Sequence, residues 1–145
     1  AGPVTNLGNG HRYALLTEGT WTASEAKAVE LGGHLATIND EAENQWVFDT
    51  FARYGGVERG LWIGLTDQAQ EGVFEWADGT PISFVRWADG EPNDNGGGED
   101  WAHIFYPQDS AGRAPSWNDF PVVWVFDATG SGQGWIPFNG VVEIP

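Results

Sequence analysis

The chain has 145 residues, 41% hydrophobic and 14% aromatic with nine tryptophans, which is enough for one filled core and unlike the aromatic-poor signature of disorder. Its 21 acidic residues against 6 basic ones leave a net charge of -15, which repels phosphate backbones and anionic lipid and so argues against nucleic acid as a partner. With no cysteine there is neither a disulfide framework nor a thiolate metal site, and no apolar run approaches the ~20 residues that insertion through a membrane requires.

Residues 1–10 carry Gly and Asn without the pattern of a signal peptide, so a mature or excised segment forming a single domain over 1–145 is expected. Thr22-Ala23-Ser24-Glu25 reads as a capping box opening a first helix, which Gly32-Gly33 ends with a left-handed cap. A short strand, His34 to Ile38, leads to a second helix opening at Asp40 with Glu43 three positions on. Ala42, Trp46, Val47, Phe51 and Tyr54 keep helical spacing until Gly55-Gly56.

From Leu61 the texture changes to short β-branched and aromatic runs: Leu61 to Leu65, Val73 to Trp76, Trp101 to Phe105 and Val141 to Ile144. Two early helices followed by short strands predict an α+β fold with the helices packed on small antiparallel sheets. Between Trp87 and Asp100 runs a long polar, glycine-rich loop that contributes little core and so points to a function or a ligand.

That loop gathers oxygen donors: Glu91, Asn93, Asp94, Asn95, Glu99 and Asp100, to which Asn118 and Asp119 add two more. Carboxylates and amides without histidine or thiolate suit calcium better than magnesium or a transition metal. A merely solvated Asp/Asn/Gly loop has the same composition, and no linear EF-hand is present, so any ligands come from separate loops.

Trp62-Ile63-Gly64-Leu65, Glu91-Pro92-Asn93, Glu99-Asp100 and Trp117-Asn118-Asp119, in that order and preceded by Gly32 to Ile38, resemble the C-type lectin-like domain from about Tyr13 to Ile144. The resemblance implies a principal Ca2+ site made by Glu91, Asn93, Glu99, Asn118 and Asp119. The same five residues would bind sugar, through two vicinal hydroxyls that complete the coordination. It implies a cis bond at Glu91-Pro92. Its Glu-Pro-Asn order is similar to that of members selecting mannose- or fucose-type hydroxyl pairs over galactose. Asp67, Glu71, Asp94 and Asp100, with Glu99, match an accessory calcium site, beside which a salt-bridging or solvated role stays open.

The family's two disulfides are missing. Ala28, Trp101, Val122 and Val142 stand where its cysteines would, so apolar packing of Ala28 on Val142 and of Trp101 on Val122 is expected. Residues 122–138 read as an inserted aromatic hairpin, covering the sheet or walling the sugar. His11, His34 and His103 read as structural, and Trp62, Trp76, Trp87 and Trp117 as core.

The chain is therefore expected to be an extracellular, secreted or cell-surface binding module that is not an enzyme, with carbohydrate as its partner, one part of a larger adhesin. Carboxylates that ligate a metal stay ionised and cannot serve as proton donors. The alternative is a domain of the same fold that contacts protein or ice, with calcium purely structural.

Overall fold

The computed structural model describes residues 3–93, 99–109, 111–120 and 138–145. It opens on β1 (Val4–Thr5) and β2 (Arg12–Glu18), paired antiparallel, neither of which the hydrophobic pattern marks. The reason lies in β2 itself. Its register against the last strand shifts between Leu15 and Glu18, which breaks the period-two alternation that betrays a strand.

Helix α1 (Trp21–Glu30) begins earlier than the capping-box reading, with the Thr20 hydroxyl accepting from the Ala23 amide at 3.2 Å. Glu25 is unavailable to cap because it is used in tertiary contact. Its carboxylate accepts from the Leu35 amide at 2.8 Å and meets His34 Nδ1 at 2.6 Å, tying α1 to β3 (His34–Leu35). At the C-terminus Gly32 takes φ 92°, the left-handed cap expected there, and the Gly33 and Gly32 amides donate to the carbonyls of Ala28 and Val29 respectively.

Helix α2 (Glu41–Phe51) opens as expected, Asp40 accepting from the Glu43 amide at 2.8 Å. It stops at Phe51, short of Gly55-Gly56. Arg59 takes over its final carbonyls, donating from its backbone to Ala52 at 3.0 Å and from Nη1 to Phe51 at 2.7 Å.

The remaining strands are β4 (Gly60–Thr66), β5 (Glu75–Trp76), β6 (Trp101–Ile104), β7 (Trp117–Phe120) and β8 (Phe138–Ile144). They join one sheet in the order β1-β2-β8-β4-β6-β7, with β3 on β8 and β5 on β4. The fold is α+β as expected, but the sheet is mixed instead of antiparallel. β8 returns between β2 and β4 and runs parallel to β4, Trp62 standing opposite Gly140.

Tyr13, Trp62, Trp76, Trp117 and Phe51 are buried, and three indoles find acceptors for their N–H: Trp21 on the Ile63 carbonyl, Trp62 on the Gly19 carbonyl and Trp117 on Asn44 Oδ1. Ala28 and Val142 are fully buried in one apolar cluster with Trp21 and Leu35, as expected for packing in place of a crosslink. Trp101 packs at that cluster's edge, its ring 6.4 Å from that of Trp21. Val122 and the other insertion residues up to 137 lie outside the described residues.

Gly64 shows why a glycine sits inside the most buried strand. A Cβ there would come within 2.5 Å of the Leu35 carbonyl oxygen, while the Gly64 amide donates to Ala36 at 2.8 Å. Backbone cannot step aside as a side chain can, so Gly64→Ala is expected to lower stability by about 1–3 kcal/mol in urea unfolding. A change below ~0.5 kcal/mol would show that this crossing relaxes.

Candidate functional site

The long loop is anchored on β7. Trp117 donates to the Arg86 carbonyl at 2.8 Å and accepts from the Ala88 amide at 3.0 Å, so residues 86–88 lie along the strand. The chain then turns, the Glu91 amide donating to Ala88 at 2.9 Å, and the Glu91-Pro92 bond is cis as the resemblance implies. Beyond it the Asn93 amide donates to Asp119 Oδ1 at 3.1 Å, and Asn93 Nδ2 donates to Glu91 Oε2 at 3.2 Å.

Glu91, Asn93 and Asp119 thus meet directly, although Asn93 and Asp119 are 26 positions apart in the chain. Glu99 joins them through its charge. The Glu91 carboxyl is pushed up to about 7, first by burial and then by a hydrogen bond shared with the Asp119 carboxyl and by the charges of Asp119 and Glu99. Asp119 is 1% exposed, Glu99 is buried as well, and Glu91 Oε1 is a buried oxygen that no donor among the described residues reaches. An oxygen-rich pocket whose carboxylates repel one another, with an acceptor left over, fits a hard cation such as calcium.

Asn118 lies beside them on β7, paired across the strands with His103. His103, read from sequence as structural only, governs how its amide is held. Burial lowers the imidazole to about 4, so it is neutral, and Nδ1 lies 3.1 Å from the Ile104 carbonyl. The proton is therefore on Nδ1, and Nε2 accepts from Asn118 Nδ2 at 3.4 Å. This leaves Asn118 Oδ1 turned from the histidine. No local pattern reveals the role, since it arises only from cross-strand register.

A second cluster lies at the end of β4. Carboxylate oxygens of Asp67, Glu71 and Asp100 fall within 4.8 Å of one another, and oxygens sharing one calcium at about 2.4 Å lie no more than about 4.8 Å apart. Asp67 is 2% exposed. Its Oδ2 accepts from the Gly72 amide at 2.9 Å, and its Oδ1 has no hydrogen-bond donor among the described residues. The Asp100 carbonyl accepts from the Thr66 hydroxyl at 2.7 Å and the Asp67 amide at 3.1 Å, holding the two acids together. Asp94, expected to join this set, lies outside the described residues.

Residues 17–122 match the family model of the lectin C-type domain. The chain is 36% identical over 109 residues to the hepatic lectin of Gallus gallus, a match covering 74% of this chain and 47% of that protein. It is 37% identical over 123 residues to the alpha-N-acetylgalactosamine-specific lectin of Patiria pectinifera, covering 81% and 71% of the two chains. The mouse scavenger receptor C-type lectin carbohydrate-recognition domain superposes with a TM-score of 0.69 at 28% identity, covering 92% of this chain and 87% of that one. The chain therefore spans about half the length of the chicken relative.

Glu91 binds its proton up to about pH 7 in the folded chain, against an ordinary 4.5. Its favourable share of stability is thus full below 4.5 and lost as pH rises through 7. In chelator, Glu91→Gln is expected to gain on the native sequence by on the order of 2 kcal/mol between about pH 4.5 and about pH 7.5. Urea midpoints measure it, and a difference independent of pH would contradict the shared carboxylate pocket.

Proposed function

Because the chain belongs to the C-type lectin domain family, we propose that it binds carbohydrate through a calcium ion held by Glu91, Asn93, Glu99, Asn118 and Asp119. Domains of this family typically bind Ca2+ and are generally non-catalytic carbohydrate-binding proteins. The observation that carries the reading is the meeting of Glu91, Asn93 and Asp119 within the reach of the Glu99 charge.

Bound calcium would supply coordination positions for two vicinal hydroxyls of a sugar. Around those hydroxyls the chain's own groups divide the work. The amides of Asn93 and Asn118 donate, and the carboxylates of Glu91 and Glu99 accept, so each hydroxyl is held in a connected polar network. His103 is a positioning residue, since its Nε2 accepts one Asn118 N–H and leaves the second for the sugar.

The order Glu91-Pro92-Asn93 favours hydroxyl pairs of the mannose or fucose type. A sugar with the opposite donor and acceptor demand would leave buried polar groups unpaired. The starfish relative is named for N-acetylgalactosamine, so a galactose-type sugar is the reading to beat.

Asp67, Glu71 and Asp100, with Asp94, form the accessory calcium site in this reading. All of these ligands act ionised, which removes them from general-acid catalysis. Extracellular calcium fills sites with dissociation constants near 10⁻⁴ to 10⁻³ M, consistent with a secreted or surface module of a larger adhesin that reaches avidity by repetition. Among the described residues no helix is long and apolar enough to cross a membrane.

Calorimetric titration with mannose, fucose and galactose, first in calcium and then in chelator, tests the proposal. Binding near ~1 mM that vanishes with the metal is expected. Calcium uptake without any saccharide binding would favour the protein- or ice-contact alternative. Asp119→Ala is expected to lose calcium and sugar together. Glu91→Gln combined with Asn93→Asp is expected to move preference toward galactose, and unchanged selectivity would contradict the donor-acceptor account.

A further inference from the structure

We infer that Asn44 is a positioning residue for the calcium pocket, a side chain outside the ligand set on which the metal affinity depends and not only the stability of the fold; this rests on the calcium reading above. Asn44 is fully buried in the interior of α2. Asparagine is a poor helix former, and a buried amide costs free energy unless its polar atoms are bonded. A residue that breaks the local rule in this way answers a demand made elsewhere in the fold.

Both ends of the amide are bonded to distant parts of the chain. Oδ1 accepts from Trp117 Nε1 at 2.8 Å, and Nδ2 donates to the Pro115 carbonyl at 3.0 Å. The opposite amide orientation would set donor against donor and acceptor against acceptor, so the partners fix the assignment. Leucine has the same heavy-atom skeleton and makes neither bond, and an ionised aspartate has no donor for the carbonyl.

What the amide grips is the junction between the two ligand-bearing segments. Trp117 holds the base of the long loop, its amide donating to the Arg86 carbonyl at 2.8 Å and its carbonyl accepting from Ala88 at 3.0 Å. Asn118 and Asp119 are the next two residues along β7, and on the loop side the Glu91 amide donates to the Ala88 carbonyl. A shift of Trp117 therefore moves Asn118 and Asp119 relative to Glu91 and Asn93.

A second tie from the same helix runs through Arg86, whose Nε donates to Glu41 at 2.8 Å and whose Nη1 donates to the Ser116 hydroxyl at 2.6 Å. Arg86 and Glu41 are 38% and 55% exposed, so that ion pair contributes little. Asn44 dominates, because an indole N–H and a carbonyl orphaned in the core have no water to turn to. Loss of a group that orients metal ligands lowers metal affinity about 10- to 100-fold, and Asn44, acting through Trp117, is expected at the lower end.

Calcium titration calorimetry of the full chain tests this, with Glu91→Gln and Asp67→Asn identifying the steps that belong to the two acidic clusters. Asn44→Leu is expected to weaken the step lost in Glu91→Gln about tenfold and to leave the step lost in Asp67→Asn within about twofold. Asn44→Asp, which keeps an acceptor for Trp117, is expected to show a smaller loss in the same step and decides the matter if Asn44→Leu does not fold. Val142→Ala opens a cavity in the other apolar cluster and is the control for destabilisation. It is expected to lower the urea midpoint while both calcium steps stay within about twofold of native. Native calcium affinity in the folded Asn44 variants, or an equal loss in Val142→Ala, overturns the positioning role and leaves Asn44 purely structural. A native titration in Glu91→Gln overturns the calcium reading of the pocket itself, and the role of Asn44 with it.

Discussion

Glu91, Glu99 and Asp119 bring three carboxylates into one partly dry pocket, and the rest of the site is arranged around their mutual repulsion. Two like charges about 4 Å apart repel by about 4 kcal/mol at an effective dielectric of 20, several times what an exposed ion pair contributes. The metal-free chain answers by keeping a proton on Glu91 to about pH 7 and by setting Asn93 amides against Asp119 and Glu91. A divalent cation would answer the same demand more fully, which is the physical basis for proposing calcium there.

The fold supplies what this pocket needs, namely a rigid strand on one side and an anchored loop on the other. β7 is clamped by β6 and by residues 86–88, and Trp117 at its start is buried with its N–H on Asn44 of α2. Asp119 is therefore held in place by its strand where the Asn93 amide meets it. The apolar cluster around Ala28, Leu35 and Val142 joins α1, β3 and β8 without a covalent link. Burying such side chains contributes about 1.5–3 kcal/mol each, comparable with one lost disulfide at about 2–5 kcal/mol.

Much of this was legible in the sequence wherever short motifs fix local chemistry. Asp40 and Glu43 announce the start of α2 and Gly32 the end of α1, whereas the meeting of Glu91, Asn93 and Asp119 was legible only through the resemblance to the C-type lectin-like domain. What stayed hidden depends on partners distant in the chain. Glu25 looks like a cap until Leu35 and His34 are seen to take its oxygens. β2 escapes notice because its bulge scrambles the alternation, and the parallel pairing of β4 with β8 follows only from where the last strand returns. His103 reads as merely structural because cross-strand register, not sequence spacing, places it beside Asn118.

A crystal structure of the chain grown with calcium and mannose would show whether this pocket holds the sugar through a metal. One ion is expected to touch Glu91, Asn93, Glu99, Asn118 and Asp119, with two adjacent sugar hydroxyl oxygens completing its coordination. An ion saturated by protein oxygens with the sugar elsewhere, or no ion among these carboxylates, would contradict it.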